Sequence, residues 1–259
     1  MQAFYDSRKR LTRVWIKRLH TIKYYEENLD FFQRLVPCVE NVDEITQNVV
    51  DDYASMLMKK GDRITAINAR LRALFVFLRF SFSKGWAERY LLSQLKEDEY
   101  AKEPYSEEDL KKLLERPTSG NWSEWRSWAV INLLIATGIR VSTIVNIKIS
   151  DVDFEHGILY LRKLKNRKQQ TLPIPSSLED ALSHYLQLWE WNPDDFLFAG
   201  IHKEQLKPHS LESSIRRYNL SRGVSKTSVH LFRHTFAKNY VLAGGGMMQL
   251  QAILVVCNI

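Results

Sequence analysis

The chain has 259 residues, of which 45% are hydrophobic, so it is long enough for two globular domains and disorder is not expected. Its formal charge is +7, which favours a polyanion such as nucleic acid as a partner. Charge alone does not decide this, because many basic proteins bind no polyanion.

The sequence predicts neither a stabilising metal nor a membrane anchor. Cys38 and Cys257 lie far apart and form no metal-spaced cluster, so neither a zinc site nor a disulfide framework is expected. No apolar signal core follows the basic N-terminus, and apolar runs such as 129–136 are too short to cross a bilayer. We therefore expect a cytoplasmic protein with no membrane partner.

The first 97 residues are predicted to form an all-helical domain. Residues 8–23 contain seven Lys or Arg and no acid, with apolar residues at spacings of three and four. This basic amphipathic segment suits contact with phosphates, or else it is a solvated helix face. Three further helices are predicted at 21–35, around 49–57 and at 64–82, ended by Pro37, Gly61 and a polar stretch.

A charged stretch at 93–104 is predicted to be a linker, followed by a second domain at 104–259. Helices are expected from 106, where Ser106 and Asp109 have capping-box form, and at 122–137, 178–188 and 211–218. Between the helix at 122–137 and the helix at 178–188, residues 152–174 have the pattern expected of three short strands separated by turns. The predicted fold class is mainly α with a small antiparallel β-sheet.

The segment after Ser228 carries the main candidate site. Ser228 is a potential N-cap and the glycines at 244–246 a helix stop, so a capped helix of about 16 residues is predicted. His230 and Arg233 share a face of it, away from the apolar stripe of Phe232, Phe236 and Tyr240. An arginine fork near a helix N-terminus can hold two oxygens of a phosphate. The alternative is a core helix whose His and Arg only cap neighbours or face water.

Two further basic features are compatible with the same chemistry. Arg140 follows the helix-ending Gly138 and precedes an apolar segment, which would hold its side chain in place. It could equally anchor a loop by bonding carbonyls. The turn at 162–168 contains five Lys or Arg, including Lys165, and forms either a basic hairpin that contacts a ligand or a solvated turn.

Three motifs in this order resemble the tyrosine recombinase (phage integrase) family. They are Thr137-Gly138-Ile139-Arg140-Val141-Ser142, the hairpin Lys163-Leu164-Lys165-Asn166 leading to Leu172-Pro173-Ile174, and His230-Leu231-Phe232-Arg233-His234-Thr235-Phe236-Ala237. The resemblance spans nearly the whole second domain. It implies an all-α core-binding domain at 1–97 and an α+β catalytic domain at 104–259.

The resemblance also implies a role for each candidate residue. Arg140 and Arg233 would clamp the scissile phosphate, and Lys165 would protonate the leaving 5′ oxygen. His230 would hydrogen-bond the phosphate and help to move the nucleophile's proton. Fixed arginine donors stabilise charge on the non-bridging oxygens, and the family conserves the bond energy in a phosphotyrosine, so no metal and no nucleotide cofactor are expected.

The end of the sequence departs from the family pattern. Val256 stands where the family has a second histidine, the nucleophilic tyrosine would lie beyond Ile259, and Thr143 replaces a usual acid. Tyr240 is expected to be core rather than a substitute nucleophile. We therefore expect a truncated recombinase that recognises DNA and does not cleave it alone, unless a partner supplies the terminal segment.

Three functions follow from the resemblance. The first is a site-specific DNA recombinase that binds double-stranded DNA and self-associates on it, as the family's tetramers do. The second is a non-catalytic DNA-binding or architectural protein that uses the same clamp. A relaxing topoisomerase of related chemistry fits less well, because a basic helical domain joined to a small catalytic domain suits recombinases better.

Overall fold

The structure, a computed structural model, describes residues 19–97, 103–162 and 169–255. Most of the predicted basic helix at 8–23, the hairpin residues 163–168 with Lys165, and residues 256–259 lie outside the described part. The backbone contacts divide the chain into two compact units, Met1–Tyr100 and Ala101–Ile259. The assignment of these units as core-binding and catalytic domains stays a prediction.

The first unit is helical, as predicted. Its helices are α1 (Leu19–Leu35), α2 (Gln47–Lys59) and α3 (Ile64–Ser83), with a short 3-10 turn at Val42–Glu44. The helices pack through aromatic side chains, including an edge-on pair of Phe32 and Tyr53 whose centroids lie 4.9 Å apart. Such pairs add to the hydrophobic stabilisation of a core.

The predicted linker begins later than residue 93. The side chain of Asn68 donates to the carbonyl of Leu95 at 3.0 Å and accepts from its amide at 2.9 Å. The hydroxyl of Tyr90 donates to the carbonyl of Ile45 at 2.5 Å. These bonds attach the extended segment after α3 to the first unit, because a side-chain amide satisfies both backbone groups of one residue.

The second unit is organised around one buried helix. Its elements are α4 (Glu107–Leu114), α5 (Trp122–Thr137), α6 (Val141–Ile144), β1 (Val152–Asp153), β2 (Ile158–Leu161), β3 (Gln170–Pro173), α7 (Ser176–Leu186), α8 (Pro208–Ser221), α9 (Val229–Leu242) and α10 (Met247–Val255). Helix α5 contacts α4, α7, α8 and α9. Most of its residues are buried, including the polar Arg126 and Ser127, which suits this central position.

The three-stranded antiparallel sheet is confirmed, in the order β1-β2-β3. Leu159 of β2 pairs with Val152 on one side and Leu172 on the other. Leu159, Leu161 and Leu172 are buried, so the alternating residues of β2 and β3 place one face of the sheet on the core. The predicted basic turn with Lys165 falls in sequence between the end of β2 at Leu161 and the start of β3 at Gln170.

Helix ends follow the predicted signals in most places. The Ser106 hydroxyl accepts from the amide of Asp109 at 3.1 Å, and the Asp109 carboxylate accepts from the amide of Ser106 at 3.3 Å, which confirms the capping box. Helix α5 ends at Gly138, which has a φ of +62°. Among the described helices, none has the length and apolar character needed to cross a bilayer.

Candidate active site

Gly138 brings the loop of Arg140 against helix α9. Its φ of +62° lies in the left-handed region, and a Cβ built on it would lie 2.4 Å from Cδ1 of Phe236. Both the turn and the close approach therefore require glycine. The consequence is that the aromatic face of α9 packs directly on the backbone that leads into Arg140.

Arg140 occupies the N-cap position of the short helix α6. Its two neighbours are buried, with Ile139 1% and Val141 7% exposed, while Arg140 itself is half-buried. The backbone at Arg140 is thus fixed by apolar packing on both sides. The immobilisation of its side chain stays a prediction.

Helix α9 starts at the predicted place but not by the predicted bond. Ser228 is the N-cap residue with an extended backbone, and its side chain makes no capping hydrogen bond among the described residues. Its carbonyl instead accepts from the amide of Leu231 at 3.0 Å and from the hydroxyl of Tyr105 at 3.3 Å. The predicted capping role of the Ser228 hydroxyl is therefore wrong.

Two residues that the sequence pattern did not single out, Tyr105 and Asn219, support the start of α9 together with Thr235 of the third motif. The Tyr105 ring stacks on Phe232 with centroids 4.3 Å apart, and its hydroxyl accepts from Asn219 Nδ2 at 2.9 Å. The Tyr105 amide donates to the hydroxyl of Thr235 at 3.1 Å. Burial raises the pKa of Tyr105 well above its ordinary value, so the phenol stays neutral. Only contacts between distant parts of the chain reveal this set.

The glycine run ends α9 as predicted. Gly244 has a φ of +83°, and the amide of Gly245 donates to the carbonyl of Tyr240 at 2.9 Å. The half-buried Tyr240 ring lies against Gly245 and has its centroid 5.9 Å from that of Phe236. Its hydroxyl donates to Gln249 Oε1 at 3.2 Å. Tyr240 thus joins α9 to α10, but it is half-buried and lies outside the buried core, so the prediction that it is a core residue is wrong.

Arg233 is fixed by two backbone carbonyls. One terminal nitrogen donates to the carbonyl of Gly138 at 2.9 Å and the other to the carbonyl of Leu254 at 2.7 Å. A guanidinium has five N–H donors in one plane, so two anchored bonds orient the whole fork. The carbonyl-anchoring role considered above for Arg140 is one that Arg233 performs.

One cavity of about 120 Å³ brings three of the four predicted site residues together. Its lining comprises Ile139, Arg140, Val141, Ser142, Pro208, Glu212, Val229, His230 and Arg233. We call it the arginine cavity. His230 is exposed and Arg140 and Arg233 are half-buried, so all three are accessible from solvent. Lys165 lies outside the described residues.

The ionisable groups of the arginine cavity are two arginines, one histidine and one carboxylate. The carboxylate, Glu212 of α8, has no counterpart among the predicted site residues. Thr143, which the resemblance predicts to stand in place of a family acid, is buried with 8% of its surface exposed. Within the described ranges, no three His, Cys, Asp or Glu side chains are grouped to hold a metal ion.

Known proteins place this arrangement in a family. Residues 105–255 match the model of the Phage integrase family. The chain is 31% identical over 205 residues to the tyrosine recombinase XerA of Pyrococcus furiosus, covering 78% of this chain and 69% of the relative. It is 25% identical over 248 residues to XerC of Thermodesulfovibrio yellowstonii, covering 91% and 81%. The chain belongs to the phage integrase family of tyrosine recombinases.

Solved structures confirm the fold class. The crystal structure of XerA recombinase has 26% identity and a TM-score of 0.52, and the match covers 96% of this chain and 88% of that one. A lambda integrase dimer bound to a COC′ core site has a TM-score of 0.78 at 15% identity, covering 98% and 90%. At that identity the second likeness concerns the fold alone. Both support a mainly helical recombinase fold with a small sheet.

Proposed function

We propose that this chain acts as a site-specific DNA recombinase, with Arg140, His230 and Arg233 binding the scissile phosphate. The observation that carries the proposal is their convergence, from two separate segments of the chain, on the arginine cavity. Family membership supplies the reaction class, in which a strand is cut and rejoined through a phosphotyrosine.

The arginines suit the charge that develops in such a reaction. When a nucleophile attacks a phosphodiester, negative charge builds on the non-bridging oxygens, and donors that are already oriented stabilise it without reorganisation. Arg233 is oriented before DNA binds, because Gly138 and Leu254 hold its fork. Arg140 approaches from the start of α6 and provides the second guanidinium.

His230 provides a donor that can also move a proton. It lies in the first turn of α9, where the helix dipole favours an anion next to the ring. A histidine nitrogen can donate to a phosphate oxygen or accept a proton from a nucleophile near neutral pH. Lys165 is proposed as the acid for the leaving oxygen on the resemblance alone.

Double-stranded DNA is the proposed partner, with self-association on it. The net charge of +7 supports binding to a polyanion. A related fold forms a lambda integrase tetramer bound to a Holliday junction. Assembly of several copies would let one strand's broken end join another.

The phosphate clamp is tested by binding. A duplex selected by this chain from a random library is resynthesised with one neutral methylphosphonate at each position in turn. We expect one position where neutralisation weakens binding by about tenfold, as for loss of a charged hydrogen bond. That penalty should disappear in Arg140→Ala and Arg233→Ala. The proposal is overturned if the affinity for DNA does not depend on salt concentration. It is also overturned if neutralising that phosphate weakens binding as much in both variants as in wild type.

Strand cleavage is tested separately with nicked suicide duplexes that trap a covalent protein–DNA adduct. Efficient adduct formation would establish cleavage by this chain. Intact binding with no adduct, in a duplex with a bridging phosphorothiolate that needs no acid, would favour the non-catalytic DNA-binding function.

A further inference from the structure

A second cavity of about 280 Å³ adjoins the arginine cavity. Its lining comprises His209, Glu212, Ser213, Arg216, Thr227, Ser228, Val229 and His230. Glu212, Val229 and His230 line both cavities, so the two share a wall. We call the second one the Arg216 cavity.

The polar side chains of the Arg216 cavity have no partners inside the described part of the chain. Arg216 makes no hydrogen bond or ion pair there, and neither do Ser213 and Thr227. An arginine and several hydroxyls provide donors that match the oxygens of a phosphate. The free hydroxyl of Ser228, which does not cap α9, adds one more donor.

We propose that the Arg216 cavity binds a phosphate adjacent to the scissile one on the same DNA strand, with Arg216 as its main contact. The inference rests on the proposed function, because the arginine cavity must hold the scissile phosphate. The shared wall makes the two cavities neighbours, as successive phosphates of one backbone are. Phosphate contacts of this kind fix the position of a protein on the duplex without reading its sequence.

Glu212 determines where the phosphates of the strand can lie relative to the two cavities. Its half-buried carboxylate stands on the shared wall and makes no ion pair with the described residues. A carboxylate repels a phosphate, so a strand shifted to place a phosphate at the wall would be disfavoured. One phosphate is therefore directed to each side, beside Arg140 and Arg233 in one cavity and beside Arg216 in the other.

The chain offers a matched control for Arg216. Arg217 follows it on α8 and is also exposed, but it lines a different depression with Ser127 and Tyr218. Its terminal nitrogen donates to the hydroxyl of Ser214 at 3.4 Å. Arg216→Ala and Arg217→Ala remove the same charge from the same helix, so their difference isolates the Arg216 cavity.

The test measures binding of methylphosphonate duplexes by wild type, Arg216→Ala and Arg217→Ala. We expect neutralisation of one phosphate next to the scissile position to weaken wild type and Arg217→Ala by about tenfold, and Arg216→Ala hardly at all. The salt slope of Arg216→Ala should fall by about 0.9, the value for one phosphate contact. Circular dichroism checks that each variant is folded.

Two results overturn the inference. One is a neighbouring-phosphate penalty that Arg216→Ala retains in full, and the other is equal loss of that penalty in Arg217→Ala. The scissile position is measured in the same series with Arg140→Ala. If the binding penalty at the scissile phosphate depends on Arg140 but the penalty at the neighbouring phosphate does not depend on Arg216, this inference fails and the proposed function stands. If neither dependence is seen, both fail.

Discussion

The two units of the chain hold cations in different ways. In the first unit, three cations surround the ring of Phe31, with Arg70 at 3.7 Å, Lys60 at 5.0 Å and Arg34 at 5.6 Å from its centroid. We call this the Phe31 cluster. In the second unit, Arg233 is held by hydrogen bonds to two backbone carbonyls.

The difference is one of direction. A ring face attracts a cation from a range of angles, so the Phe31 ring concentrates positive charge without itself fixing each donor; Arg70 also has Asp62 Oδ2 3.7 Å from its Nε. Carbonyl anchors orient the donors of Arg233, as chemistry at a single phosphorus atom requires. We infer that the Phe31 cluster suits general attraction to DNA and that the arginine cavity suits positioning of one phosphate.

The largest expected effect concerns Gly138, where the backbone and the neighbouring ring both exclude a side chain. Gly138→Ala should destabilise the second unit by about 3 kcal/mol, combining left-handed strain with overpacking against Phe236. Gly61→Ala is the control, because Gly61 has a φ of +84° and open space around it. It should cost about 1 kcal/mol, from strain alone. Equal losses in urea unfolding would contradict the packing argument.

Arginine-to-lysine exchange should separate the two kinds of cation site. Arg233→Lys keeps the charge, but it replaces the planar five-donor fork by three donors on one nitrogen, which cannot reproduce the fork's orientation toward a phosphate. We expect DNA binding to weaken by about 2 kcal/mol. Arg70→Lys should change it by less than about 0.5 kcal/mol, since a lysine still attracts both the ring and DNA. Similar losses in titrations at one salt concentration would remove the distinction.

Much of the second unit follows from local signals in the sequence. The limits of α5 at Trp122–Thr137 agree with the prediction, because an apolar helix and its terminating glycine are both encoded locally. Arg140 and Arg233 were predicted to act together, and they line one cavity. The order of the three motifs, which resembles the family pattern, predicted that this pair acts together. The number of residues between Arg140 and Arg233 does not by itself indicate that their side chains meet.

Contacts between distant segments were beyond sequence reasoning. Nothing near Arg233 indicates that Leu254 accepts its hydrogen bond, and nothing near Glu212 places it beside His230. Ser228 shows the same limit locally, because a serine at an N-cap position caps only if its rotamer allows it. Side-chain direction in the folded state decides such cases.

Tyr105 tests how far the support of α9 matters for its site. Tyr105→Phe keeps the stacking on Phe232 but removes a hydroxyl that bonds Asn219 and the carbonyls of Lys226 and Ser228. We expect a stability loss of about 1–2 kcal/mol in thermal unfolding, since buried partners lose a bond. Phosphate binding should weaken slightly through the loosened start of α9. Unchanged stability would show that water replaces the hydroxyl.

The smallest expected effect concerns Tyr53 of the first unit, which contrasts with Tyr105 because its hydroxyl has no partner to lose within the described ranges. The Tyr53 hydroxyl is buried and has no hydrogen-bond partner among the described residues. Removing an unsatisfied buried group is neutral or stabilising, so Tyr53→Phe should raise the free energy of unfolding by up to about 1 kcal/mol near neutral pH. Urea unfolding at pH 8 measures it, and a clear loss would imply a partner for the hydroxyl.

The same variant has a defined pH dependence. Burial raises the pKa of Tyr53 from 10.0 to about 12, with Arg70 opposing and Asp62 adding to the rise. Between these values the unfolded state has lost the phenol proton and the folded state retains it, so wild type loses stability as pH rises from about 10 to 12. Tyr53→Phe has no phenol proton at this position, so it does not lose stability by this ionisation. Its advantage over wild type should therefore widen between pH 8 and pH 11, and a constant difference would mean that the phenol ionises alike in both states.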